Sequence, residues 1–175
     1  MNKFLRILKH RWLDSADTHR LIPDDMAQRL AQRVAASEAR HTGEVRLCVE
    51  AALPLSYLWR LDRATSVGAL TRERAVSWFG RLRVWDTEHN NGVLIYLLLA
   101  EHAIEFVADR ALSAQVDHAQ WQAIVDRLGA RLRAGEFEDG LTQALEEVSA
   151  LLVAHFPTGA DGVSPNELPD SVVRA

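Results

Sequence analysis

The chain has 175 residues, nearly half of them hydrophobic, and a formal net charge of −4. That length suits one domain with tails, and the negative balance argues against a general nucleic-acid binder. One cysteine, Cys48, excludes an intramolecular disulfide and the cysteine-rich zinc sites.

In chain order, residues 2–13 fit a short amphipathic helix, with Phe4, Leu5, Leu8 and Trp12 on one side and Lys3, Arg6 and His10 on another. Such a helix docks on the following domain or lies on an anionic membrane surface. Basic residues are scattered through its apolar ones, so no signal peptide is expected. No apolar run reaches the length of a membrane span, and a cytoplasmic protein, peripheral to the inner membrane, is the expectation. Pro23, Asp24 and Asp25 open a second helix expected to run to His41. Gly43 is expected to end it in a left-handed conformation.

Residues 44–52 alternate apolar and polar and read as a strand near a sheet edge, in which Cys48 is a buried small hydrophobe. Residues 55–82 are helical with a break near Ser66–Gly68, and Thr71 is read as the cap of the second piece. The run 93–100 is apolar on both faces and should be a central strand. Glu101 and His102 then join it to the strand 103–108 as an antiparallel hairpin. Two further helices, carrying Trp121–Leu132 and Leu141–Leu152, are separated at Gly135. The expected fold is thus α/β, a three-layer α/β/α sandwich on a small mixed sheet. Residues 1–20 form an N-terminal helical segment, 21–157 the domain, and 158–175 a disordered or loosely draped tail.

The hairpin brings the connection 85–91 beside the segment 109–117. Asp86, Glu88, Asp109 and Asp117 are therefore candidate ligands for a hard divalent cation, Ca²⁺ or Mg²⁺. Arg110, Asn90, Asn91 and Trp85 are candidate binding residues there. The alternative assigns Asp117 to a helix cap, and Asp86 and Glu88 to solvated loop. Glu38 and His41 form a further candidate, a carboxylate and an imidazole three positions apart on one helix face. No nucleophile-elbow, phosphate-loop, dinucleotide or zinc-protease motif occurs.

The order of these features resembles the TPM domain family. Asn91–Gly92 before an apolar strand, a short turn, a second strand, Asp117, a Trp121–Ile124 helix and the break Gly135–Gly140 carry the likeness. Upstream, Glu38, His41, Gly43 and Glu44 precede a strand as in the family's opening half. The resemblance implies an α/β/α sandwich and, in some members, divalent metal at acidic loops. One plant member has a weak acid phosphatase activity. It also implies partners such as LemA-type or membrane-anchored TPM proteins. The chain departs from the family's secreted members where Ala108-Asp109-Arg110 replaces a glycine-rich turn. A non-catalytic interaction module assisting a membrane-associated complex is the expected function. A metal-dependent phosphatase acting on phosphate monoesters is the alternative.

Overall fold

The computed structural model describes residues 3–62, 65–158 and 167–175. The expectations for Asn2 and for residues 159–166 of the tail lie outside them. Among the described residues the α-helices are α1 (Lys3–Trp12), α2 (Ser15–Leu21), α3 (Asp24–Glu38), α4 (Leu55–Leu58), α5 (Val67–Arg81), α6 (Arg110–Ser113), α7 (His118–Arg133) and α8 (Phe137–His155). Four strands are β1 (Val45–Glu50), β2 (Val93–Leu98), β3 (Ala103–Ala108) and β4 (Val173–Arg174).

The sheet order is β3-β2-β1-β4. β1 runs parallel to β2 in the register Val45 to Val93 through Glu50 to Leu98, and β3 returns antiparallel to β2. The alternation of a strand sends successive side chains to opposite faces. Val45, Leu47, Val49, Val93, Ile95 and Leu97 pack with α3, α7 and α8. Cys48, Leu94, Tyr96 and Leu98 pack with α4 and α5. The result is a helix–sheet–helix sandwich with two apolar cores, in which each fully buried leucine or isoleucine contributes about 1.5–3 kcal/mol. β2 is apolar on both faces because it lies between them, as expected.

Several expectations are corrected. β1 is an interior strand, and all six of its residues are buried. Its polar alternation reflects paired and buried charge, not an outer edge. The reason is the tail. Residues 173–174 add to β1 as a parallel strand, with Ala51 N–H donating to Ala175 O and Ala175 N–H to Val49 O. Arg174 anchors it by donating to Ile22 O and Asp24 Oδ1, and Leu168 is buried. The described part of the tail is therefore ordered. Second, α3 stops at Glu38, and His41 lies beyond it in a bridge to Pro157. Third, α5 begins at Val67, capped by Ser66 Oγ, so Thr71 lies inside the helix. Fourth, Gly43 keeps an ordinary φ. It is needed for space, since a Cβ there would fall 2.9 Å from Asn91 O and 2.5 Å from Leu152 Cδ2. The left-handed glycine is Gly135, at φ 81°, just past α7.

α1 docks through its polar side together with Ile7, which packs on the core beside α4 and α5. Lys3 Nζ donates to Trp59 O and Leu61 O, and Arg6 pairs with Glu101. Leu53 N–H donates to His10 Nδ1, which leaves Nε2 protonated and donating to the Glu101 carboxylate at 2.8 Å. The apolar residues Phe4, Leu5, Leu8 and Trp12 consequently face outward.

Candidate functional site

Pairing of β2 with β3 brings the two predicted segments together. Asp109 N–H donates to Gly92 O at 2.9 Å, and Ala111 N–H donates to Asn90 O at 3.0 Å. Gly92 is required at this junction, because a Cβ would meet Val84 O at 2.0 Å.

Within the junction the candidates divide. Asn91 is fully buried. Its backbone N–H donates to Thr87 Oγ1 and its Nδ2 to Thr42 Oγ1, while Oδ1 has no hydrogen-bond partner among the described residues. Asp109 is also buried. Its Oδ1 accepts the Arg110 N–H at 2.7 Å as the cap of α6, and its Oδ2 likewise has no partner there. Asn90, at φ 51°, accepts from Arg110 Nη2 through Oδ1 at 3.4 Å. Asp117 is spent on a capping box at the start of α7, accepting from Gln120 N–H while Gln120 Oε1 accepts from Asp117 N–H. Asp86 and Glu88 are exposed loop residues, and Trp85 is about half exposed. Among the described residues no group of three or more His, Cys, Asp and Glu side chains is placed to hold a metal ion. The backbone segments meet, but Asp86, Glu88, Asp109 and Asp117 do not form one such ligand set.

Glu38 and His41 occupy the same pole, at the amino ends of β1 and β2, although not on one helix face. Glu38 Oε1 accepts the Val45 N–H at 2.9 Å and so ties the end of α3 to the start of β1. Burial pushes its carboxyl up to about 9, with the negative charges of Glu44 and Asp170 adding to the rise. His41 is fully buried near Ser37 Oγ, 3.3 Å from Nε2, and burial lowers its imidazole to about 4. At neutral pH both side chains are uncharged.

Sequence reasoning missed the partners that complete this pole. Glu44 is buried and accepts Glu167 N–H and Leu168 N–H through its two oxygens. Glu167 in turn accepts from Glu88 N–H. Arg46 is buried with Nε and Nη1 lacking partners among the described residues, and burial lowers its pKa against the pull of Asp170 and Glu38. The available signal is the polar alternation of residues 44, 46 and 50, which in sequence is indistinguishable from solvent exposure.

The TPM domain model matches residues 15–151, most of the chain. The chain belongs to the TPM domain family. Comparison with curated proteins yields no match. Among solved structures, the NMR structure of the BA42 protein from the psychrophilic bacterium Bizionia argentinensis is similar with a TM-score of 0.71. The identity is 21%, over 88% of this chain and 95% of that one, a likeness of fold. In this TPM domain the order of features seen in the sequence translates into the β2–β3 hairpin and the α7–α8 pair. The acidic junction at its base has one buried carboxylate, that of Asp109, and one buried amide oxygen, that of Asn91.

Proposed function

We propose that this TPM domain is a non-catalytic module that works at an anionic membrane surface, seated through α1. The observation that carries the reading is the inverted seating of that helix. Its polar side is used against the domain, while Phe4, Leu5, Leu8 and Trp12 are exposed by 75, 60, 54 and 79%, with Trp59 beside them at 64%. Lys3 lies over the Trp59 ring, 5.6 Å from its centroid, and bridges the two elements. Tryptophans at the edge of an apolar strip suit the headgroup layer. Charge selects this occupant over a second copy of the chain. The helix KFLRILKHRW has four Lys and Arg residues and no acid, so a symmetric pairing of two such faces sets like charges together. Among the described residues no helix is long and apolar enough to cross a membrane, so attachment of this part of the chain is peripheral. Its protein partner would be another membrane-associated protein, LemA-type or an anchored TPM protein, and the seat would be the cytoplasmic leaflet.

The finer reading of a bound Ca²⁺ or Mg²⁺ draws support from Asn91 Oδ1 and Asp109 Oδ2, two buried oxygens without partners among the described residues on backbone segments that meet at the Asp109–Gly92 bond. The phosphatase alternative has weaker support, since Asp86, Glu88 and Asp117 serve loop and cap roles. Flotation with vesicles of phosphatidylglycerol and phosphatidylcholine tests the main reading. The wild type should float and the pair Leu5→Glu, Trp12→Ser should not. Equal behaviour of the two proteins overturns it. Turnover of phosphate monoesters that EDTA abolishes and Asp109→Ala removes would establish the alternative.

A further inference from the structure

A groove of about 1060 Å³ opens at the opposite end of the sheet, between α1–α2, the β2–β3 turn and α7–α8. Leu97 and Leu99 at the end of β2 line it, with Leu13 and Leu21 from one side and Val125 and Leu132 from the other. In open α/β sheets, ligands bind beyond the carboxyl ends of parallel strands. The size falls at the upper end of small-molecule sites, which are mostly apolar with a few placed polar groups.

The charged side chains of the lining are unequally committed. Asp17 caps α2 through the Asp14 N–H and pairs with Arg20. Asp126 accepts from Gln122 Nε2. Lys9 and Arg133 both line the groove, and neither is among the ion pairs of the described residues. Gly129 gives Arg133 its place, because the position a Cβ would take lies 3.2 Å from Arg133 Nη1 and 3.5 Å from Ile104 Cδ1. The lining therefore offers an apolar trough with two cations free of ion pairs, Lys9 and Arg133, beside one carboxylate, Asp126, whose donor is the neutral Gln122 amide.

We propose that this groove binds a single-chain anionic amphiphile, a long-chain carboxylate whose chain lies along the leucine trough and whose head is held by Lys9 and Arg133. Charge complementarity selects the carboxylate over a neutral lipid, since ion-assisted hydrogen bonds to guanidinium and ammonium are the strong ones. The inference stands independently of the membrane seat. The groove is lined by Lys9 and Leu13, whereas the seat uses the outward residues of α1.

Binding of cis-parinarate to the full chain, followed by its fluorescence and by displacement with palmitate or hexadecanol, decides the matter. A saturable site that palmitate empties is expected. Lys9→Gln with Arg133→Gln should raise the dissociation constants of cis-parinarate and palmitate, both carboxylates, about tenfold each and leave that of hexadecanol unchanged, because only the headgroup contact is lost. Ile104→Trp, which fills the trough, should reduce probe binding itself. Leu5→Glu with Leu8→Glu should leave probe binding unchanged while flotation is lost. The proposal is overturned by an absence of saturable probe binding, by equal palmitate dissociation constants in wild type and the glutamine pair, or by binding that disappears only with the Leu5 and Leu8 changes. Among the described residues neither Lys9 nor Arg133 has a side-chain hydrogen bond or ion pair, so these variants report on binding.

Discussion

The two ends of the parallel pair β1–β2 treat buried charge in opposite ways. At the carboxyl end, Glu50 accepts from Arg74 Nε at 2.9 and 3.0 Å, from Arg74 Nη2, from Trp78 Nε1 at 2.9 Å and from Tyr96 Oη at 2.6 Å. Every lone pair of that carboxylate has an N–H or O–H aimed at it. At the amino end, Glu38, His41, Glu44 and Arg46 are all pushed by burial toward their neutral forms. A fully compensated buried charge is a structural lock, whereas an under-compensated group is one whose state a ligand or proton can change.

Breaking the lock should produce the largest effect. Arg74→Ala leaves Glu50 buried without its counter-charge and should cost about 3–5 kcal/mol. For a domain of this size that is a fall of roughly 10 °C or more in melting temperature. A loss under 1 kcal/mol in urea unfolding would show that water or Trp78 and Tyr96 suffice for Glu50.

Truncation after residue 166 should come next. It removes β4, re-exposes the β1 edge and strips Glu44 of two N–H donors. The expected cost is about 2–4 kcal/mol, from the unsatisfied carboxylate and the lost burial of Leu168. Denaturant melts of the two chains check it, and amide exchange should quicken across β1.

The amino end should reveal itself through pH. Glu38 is raised to about 9, so its contribution is full below the ordinary carboxylate value and is lost as pH rises toward 9. His41 is lowered to about 4, so its contribution is full above the ordinary imidazole value and is lost as pH falls toward 4. The two slopes oppose each other between about 4.5 and 6.5. Stability should decline above that window, at most by roughly 1.4 kcal/mol per pH unit. Glu38→Gln should flatten the alkaline decline and change little at pH 5. Melts from pH 5 to 9 test this, and parallel curves for the two proteins would remove Glu38 as the cause.

The smallest effect on stability belongs to the outward face of α1. Leu5→Glu with Trp12→Ser should move stability by no more than about 0.5 kcal/mol per site, while abolishing vesicle flotation. A large loss of stability instead would mean that these side chains pack on the domain.

Much of the fold is legible in the residues. The doubly apolar run 93–98 has to lie between two helical layers. The expected hairpin forms, but its connection is four residues, not two: β2 stops at Leu98, a 3₁₀ turn covers Leu99–Glu101, and His102 at φ 50° leads into β3. From the hairpin alone follows the meeting of residues 90–91 with 109–111. Side-chain placement there is another matter. Asp117 lies beside the junction in sequence, yet its carboxylate serves the Gln120 N–H, because capping is a local contact that forms wherever a helix starts. The alternation in β1 resembles that of an edge strand because period-two polarity cannot distinguish water from Arg74 or Leu168 N–H as the polar partner. The short pieces α2, α4 and β4 have too few residues for any periodicity to emerge.

By itself the sequence determined the layers, the central strand, the hairpin and the family, since these follow from hydrophobic period and turn chemistry within a few consecutive residues. Only the tertiary structure decided which way α1 faces, that the tail closes the sheet, and which charges are compensated. Each of these depends on contacts between residues far apart in the chain, His10 with Leu53, Glu44 with Leu168 and Glu50 with Arg74. There burial and hydrogen-bond satisfaction outweigh local preference.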